Sequence, residues 1–214
     1  MFENREDAGK KLAYELKKYK GQKVMAVALP RGGVVVGKEI AKSLKIPLEV
    51  FIVHKLGSLY NPEFGFGAIA EGGEIFIDQA SIQSQRLTFG DLQRIINEAS
   101  EEVRRRVELY RKGEKAPSVF GKTVILIDDG LATGVTAQVA ISALRKQKPK
   151  EIILAVPVCS LQSADLIRSK VDDLICLISS AKLHAVGAWY KDFKSVSDEK
   201  VIGLLRNNGY PDSN

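Results

Sequence analysis

The most restrictive feature of this 214-residue sequence is a recurring unit: an unbroken apolar run, a tight turn, then apolar residues at helical spacing. Val24 to Leu29 runs into Pro30-Arg31-Gly32-Gly33, and Val36, Ile40 and Leu44 follow on one helical stripe that Pro47 closes. Leu48 to Val53 reads as the next strand, which makes a βαβ unit of about 30 residues. Val124 to Ile127 repeats the pattern, entering Asp128-Asp129-Gly130. A helix follows through Val135, Val139 and Leu144, with Arg145, Lys146 and Lys148 near its C-terminal end and Pro149 as a stop. Ile152–Val158 and Leu174–Ile178 add two more strands with a short helix between them. Runs this apolar suit strands covered on both faces. Alternating with helices, they predict an α/β fold: a doubly wound, mainly parallel sheet of about five strands.

Other segments decorate that core. Residues 5–20 carry Ala8, Leu12, Leu16 and Tyr19 on one helical side. Residues 54–91 break the alternation; Gly72-Gly73 sits between AIAE and EIFID like a two-residue hairpin turn. A segment this long inside a compact domain usually forms a functional lid or an insertion, and the glycine-rich stretch 57–73 is the candidate lid. Thr88 and Asp91 then cap a long helix with Leu92, Ile95, Ala99, Val103 and Tyr110 inward. Ser195 and Asp198 offer a capping box for a last helix ending near Gly209. The chain therefore reads as one domain, 1–214. Its core is about 22–55 and 120–180, its lid and helix insertion about 56–115, and its small hood the N-terminal helix with about 181–194.

Composition narrows the function. With 45% hydrophobic and 27% charged residues the chain is an ordinary globular protein, and no stretch reaches the roughly 18 uninterrupted apolar residues of a membrane span. MFENREDAGKK has no apolar signal core, and two cysteines inside apolar runs suit a reducing compartment, so a cytoplasmic protein is expected. The net charge of +6 permits an acidic partner. Arg104, Arg105 and Arg106 stand behind Glu101 and Glu102 at helical spacing, so that face is self-neutralised and nucleic acid is not expected. Gly65-x-Gly67-x-x-Ala70 fits a dinucleotide-binding pattern but neither follows an apolar strand nor opens a helix. Gly121-Lys122-Thr123 resembles the end of a P-loop, yet it precedes its strand and position 116 is Ala. His54, His184, Cys159 and Cys176 lack metal-ligand spacing.

Two turns remain, and both suit anions. In an open α/β sheet, ligands bind beyond the C-terminal ends of strands. Pro30-Arg31-Gly32-Gly33 opens a helix whose N–H groups and dipole favour negative charge, with Arg31 able to add a bidentate phosphate contact. In the second turn, Asp128 and Asp129 emerge at a strand tip, where they can accept hydrogen bonds from vicinal sugar hydroxyls or lie near a cation. Thr133, Gly134 and Thr136 then open a helix as a phosphate cradle. A sugar phosphate spans such an arrangement.

VILIDDGLATGVT resembles the ribose-5-phosphate signature of type I phosphoribosyltransferases, whose donor is phosphoribosyl pyrophosphate (PRPP). The resemblance implies that Asp128 and Asp129 hold the ribose 2- and 3-hydroxyls. Ala132, Thr133, Gly134, Val135 and Thr136 would wrap the 5-phosphate, with Leu131 also a substrate-binding residue. LPRGG is similar to the family's pyrophosphate loop, which places Arg31, Gly32 and Gly33 near the leaving group; Lys55 occupies the place of a basic residue on the pyrophosphate. HAVGAWYKDF is similar to the segment flanking the acceptor base, so Trp189 or Tyr190 is implied to stack on a ring. Asp192, with Asp128 and Asp129, is implied to help hold Mg²⁺. DAGKKLA, ALPRGGV, NPEFGFGAIAEGG, DDGLATG and VGAWYKDF together resemble a subgroup of provisionally assigned phosphoribosyltransferases without an assigned acceptor.

The expected reaction is Mg²⁺-dependent transfer of the 5-phosphoribosyl group from PRPP to a small nitrogenous acceptor, purine- or pyrimidine-like, with release of pyrophosphate. Ala132 stands where hypoxanthine-guanine enzymes carry an Asp proposed as general base; Glu63 and Glu71 are the alternatives within the lid. A PRPP-sensing regulator acting on nucleic acid without transferase activity would use the same cradle, but no nucleic-acid-binding signature accompanies it. Related enzymes commonly dimerise, so a homodimer is the assembly the resemblance allows.

Overall fold

A computed structural model describes residues 1–57, 65–183 and 185–206. Five parallel strands form the central sheet: β1 (Val24–Ala28), β2 (Leu48–Val50), β6 (Thr123–Ile127), β7 (Glu151–Ser160) and β8 (Asp173–Ser180), in the order β2-β1-β6-β7-β8. Three further strands, β3 (Val53–Gly57), β4 (Gly65–Ala70) and β5 (Ile75–Ile77), make a separate antiparallel sheet. The helices are α1 (Arg5–Glu15), α2 (Gly32–Leu44), α3 (Gln79–Gln85), α4 (Phe89–Arg111), α5 (Val135–Lys146), α6 (Leu161–Arg168) and α7 (Asp198–Arg206).

The period-2 alternation of strand side chains sorts them onto two faces. Ile125, Ile127, Ile153 and Ala155 pack with Leu12 and Leu16 of the N-terminal segment, with Val34 and Ile40 of α2 and with Val201 of α7. Val124, Leu126, Ile152 and Leu154 pack with Val139, Leu144 and Ile167 of α5 and α6. Both faces are covered, which is the doubly wound arrangement the apolar runs demand. Because β2 lies on one side of β1 and β6 on the other, strand order reverses between β1 and β6. A crevice at such a switch point is where an open α/β sheet binds ligands.

The first helix is shorter than its periodicity suggests, ending at Glu15 before a 3₁₀ turn at Lys17–Tyr19, yet Ala8, Leu12, Leu16 and Tyr19 are all buried. The run 48–53 is split between two sheets. Arg111 of α4 donates to the Val50 carbonyl (2.7 Å), and Glu71 pairs its own N–H with the Ile52 carbonyl (2.8 Å) while its carboxylate accepts from the Ile52 N–H (3.3 Å). These bonds draw the chain out of the main sheet after Phe51. They depend on residues far along the chain, which a local pattern does not encode.

Residues 65–77 do form the expected hairpin, with Gly72 and Gly73 both at φ +85° as a turn that matches strand twist requires. The second sheet packs between α4 and α5. Over Gly65–Ala70 the stretch read as a lid is a β-strand, with Phe66 and Ala68 fully covered. The remainder of that stretch, with Glu63, falls partly in 58–64, outside the described residues, as does His184. Thr88 and Asp91 form a reciprocal capping box at the start of α4. Ser197, and not Ser195, caps α7: its hydroxyl accepts from the Lys200 N–H (3.2 Å). Among the described residues no helix is long and apolar enough to cross a membrane.

Candidate active site

The turns after β1 and β6 meet at the switch point and line one cleft of about 530 Å³. Its walls include Arg31, Gly32, Lys55, Asp128, Asp129, Leu131, Ala132, Thr133, Gly134 and Thr136, ten of the residues singled out in the sequence. The peptide joining Pro30 to Arg31 is cis. Gly33 packs behind the cleft, close to the Ile127 carbonyl, and Val135 faces the apolar layer under α5.

The β6 turn is held from below. Leu131, 1% exposed, is stitched to the end of β7: its N–H donates to Val158 (2.8 Å) and its carbonyl accepts from the Ser160 N–H (3.0 Å). The Ala132 carbonyl accepts from the hydroxyls of both Ser160 and Ser163. Gly134 takes the N-cap position of α5 at φ +75°, and no side chain caps that helix. The first N–H groups of α5 are thus left for a ligand, and the helix dipole favours an anion there.

The two carboxylates are unequal. Asp128 Oδ1 accepts from the Asp129 N–H (2.8 Å). Burial, then the neighbouring Asp129 charge, pushes the Asp128 carboxyl above the usual range, while the Asp129 N–H and the Lys55 charge pull it back. Asp129 Oδ2 accepts from Arg5 Nε at 2.7 Å. The same guanidinium donates to the Lys194 carbonyl (2.9 Å) and lies 3.7 Å over the Phe193 ring. Tyr190, buried between Phe2 and Phe193, donates its hydroxyl to the Asp129 carbonyl (2.6 Å), and burial keeps that phenol protonated. It is therefore packed under the site and not open for ring stacking.

Trp189 does not line the cleft. It packs in a small cluster with Phe2, Val158 and Tyr190, and its carbonyl accepts from the Phe2 N–H (2.8 Å). Asp192 also lies apart, exposed and bonded to Lys194, in an adjoining pocket of about 210 Å³ with Asn4, Glu6 and Lys200. Glu71 is no general base for this cleft: Arg111 engages both of its carboxylate oxygens at 2.8 and 2.9 Å, in a separate pocket beside Phe51 and Val107. Arg31 reaches Asp198 (3.7 Å), a carboxylate that also accepts from Tyr110 (2.6 Å) and is held below its ordinary range chiefly by that bond.

Sequence reasoning missed the places of Arg5, Phe193, Ser160, Ser163 and Asp198 at this site. Arg5 did leave one local signal. A cation in the first turn of a helix opposes the helix dipole, so its presence asks for a tertiary partner.

A parallel sheet with two anion-receptive turns at its switch point, one bearing paired carboxylates, is the architecture of a phosphoribosyl transferase domain. The model of that family, described as "Phosphoribosyl transferase domain", matches residues 2–192, and the chain belongs to it. Proteins from two strains of Mycobacterium tuberculosis, each provisionally named a phosphoribosyl transferase, are 35% identical over 205 residues, covering 96% of this chain and 46% of theirs. The chain thus spans about half the length of the curated relatives it matches. The crystal structure of TT1426 from Thermus thermophilus is 34% identical, with a TM-score of 0.78, and the match covers 96% of this chain and 97% of that one.

Proposed function

We propose that the protein transfers the 5-phosphoribosyl group of PRPP to a small nitrogenous acceptor, purine- or pyrimidine-like, and releases pyrophosphate. The observation that carries this reading is the convergence of Arg31, Gly32, Lys55, the Asp128–Asp129 pair and the uncapped N-terminus of α5 on one cleft. A 5-phosphate would lie against the N–H groups and hydroxyls of 132–136, and the ribose hydroxyls would donate to the two carboxylates. One oxygen of each carboxylate is already committed to a protein donor, which leaves the other for the sugar.

Displacement at the anomeric carbon builds positive charge on the ribose and negative charge on the departing pyrophosphate. Arg31 and Lys55 would neutralise the second, and the carboxylates, close to the ring, would favour the first. Arg31 must exchange its Asp198 contact for the phosphate, an exchange between two anionic partners at an exposed site. Two carboxylates supply only part of an octahedral oxygen shell, and Mg²⁺ is usually bound in this way, with substrate phosphates and water completing it. Among the described residues no cluster of three or more His, Cys, Asp or Glu could hold an ion alone, so the donor set fits an ion that arrives with its substrate. The second lone pairs of the Asp128 and Asp129 oxygens left for the sugar would hold it, and the ion would add charge neutralisation at the pyrophosphate.

In this reading residues 1–214 act as one domain, in the cytoplasm. Core 22–55 and 120–180 carries the donor site, the insertion 56–115 buttresses it, and α1 with 181–194 forms the hood. Calorimetric titration of PRPP with and without Mg²⁺ tests the reading. Saturable binding lost in Asp128→Asn/Asp129→Asn is the expected result, followed by acceptor-dependent pyrophosphate release. No binding by the wild-type protein would refute it.

A further inference from the structure

Arg5 is 8% exposed, and its guanidinium meets two separate segments, the turn after β6 and residues 193–194. Nε donates to Asp129 Oδ2 (2.7 Å), Nη1 donates to the Lys194 carbonyl (2.9 Å), and the plane covers Phe193 at 3.7 Å. The pair with Asp129 joins side chains that are 10% and 17% exposed. A buried cation at the start of α1 gains nothing from its own helix, whose dipole opposes it. What holds it there is its tertiary partners at the cleft wall, Asp129 first among them. Asp129 follows a strand end and has a short side chain, so fixing one oxygen fixes the direction of the other.

We propose that Arg5 is a positioning residue of the donor site: it sets the orientation of Asp129 for a ribose hydroxyl and ties that orientation to the placement of residues 193–194. The inference rests on the PRPP reading above. A lysine cannot replace it fully, because a single ammonium cannot hold a carboxylate and a carbonyl with one rigid planar fork.

The test is calorimetric titration of PRPP, with Mg²⁺ present, into the wild type, Arg5→Gln, Arg5→Lys, Asp129→Asn and the Arg5→Gln/Asp129→Asn double variant. Arg5→Gln is expected to weaken PRPP binding about tenfold or more, as loss of a charge-assisted bond implies, and Arg5→Lys to recover part of it. In the Asp129→Asn background Arg5→Gln should cost little further, since both changes remove one interaction. A residue that only stapled α1 to 193–194 would give losses that multiply in the double variant. That result, or wild-type affinity in a folded Arg5→Gln protein, overturns the proposal. If Arg5→Gln does not fold, the same cycle run with Arg5→Lys supplies the comparison. A wild type that does not bind PRPP refutes the donor-site reading first, and this inference falls with it; intact wild-type binding with an indifferent Arg5 refutes the inference alone.

Discussion

Replacing Gly32 by Ala tests a single contact on which the site depends. Gly32 opens α2 outside the left-handed region, so alanine meets no backbone objection there, and the shift in unfolded-state entropy alone would stabilise the protein by about 0.4–1 kcal/mol. The obstacle is steric. A Cβ at this position would stand 1.8 Å from Asp129 Oδ2, 2.6 Å from Asp129 Cγ and 2.8 Å from Arg5 Nε. The carboxylate must retreat by roughly 1 Å or more before van der Waals contact is restored, and the 2.7 Å bond to Arg5 cannot survive that retreat. A charge-assisted hydrogen bond contributes about 1.5–3 kcal/mol, which exceeds the entropic gain, so a net loss of about 1–2 kcal/mol is expected. For a chain of this length that lowers the melting temperature by roughly 3–6 °C. PRPP affinity should fall further, by tenfold or more, because the displaced carboxylate is the one offered to the ribose. Thermal unfolding and calorimetry on the same sample separate the two effects. A Gly32→Ala protein that melts at or above the wild type and binds PRPP normally would refute the steric argument.

Arg111→Met should cost about 3 kcal/mol by urea unfolding, because it leaves Glu71, 13% exposed, without its bidentate partner. Burial already raises the Glu71 carboxyl above its ordinary range, and removing Arg111 raises it more. The folded state then binds more protons than the unfolded chain, so the Arg111→Met deficit should shrink as pH falls from 7 toward 5; a deficit that grew would contradict the assignment. Glu102 behaves oppositely, pulled down to about 2 chiefly by its bond to Arg105. Its contribution is complete above the ordinary carboxylate range and lost as pH falls toward 2, so the gap between wild type and Glu102→Gln should close over that interval. With Arg105 half exposed, the gap at pH 7 is on the order of 0.5–1 kcal/mol. Ser160→Ala/Ser163→Ala removes both hydroxyl donors to the Ala132 carbonyl, and a loss of about 1–3 kcal/mol in a thermal melt is expected, with weaker PRPP binding.

How much of this was legible follows from the range of each interaction. The strands before Leu29 and Asp128, the turns after them, the capping box at Thr88 and the hairpin at Gly72-Gly73 are encoded within a few neighbours, and the structure carries them all. The paired helix charges were equally local: Glu102 meets Arg105 and Arg106 as spacing suggests. What pattern reading lost are contacts between residues far apart, which leave no periodicity. The Arg5–Asp129 pair spans 124 positions, and the Glu71–Arg111 pair that ends β2 spans 40. Trp189 and Asp192 lie within a few residues of Phe193, which does line the cleft; local spacing could not say which of these side chains would turn inward.

The bonds around Phe2 have a consequence in time. The Phe2 N–H donates to Trp189, the Phe2 carbonyl accepts from Lys191, and the Glu3 carbonyl accepts from Asp192, so the first residues are held by some of the last ones described. Contacts of such sequence separation form late, since the loop they close must first be ordered. During refolding the central sheet should therefore appear before the cleft is complete, and Arg5 should find Lys194 only in a closing step. Pulse-labelled hydrogen exchange would register this as protection of the Leu126 amide ahead of the Phe2 and Asp192 amides, and simultaneous protection would show that hood and sheet condense together.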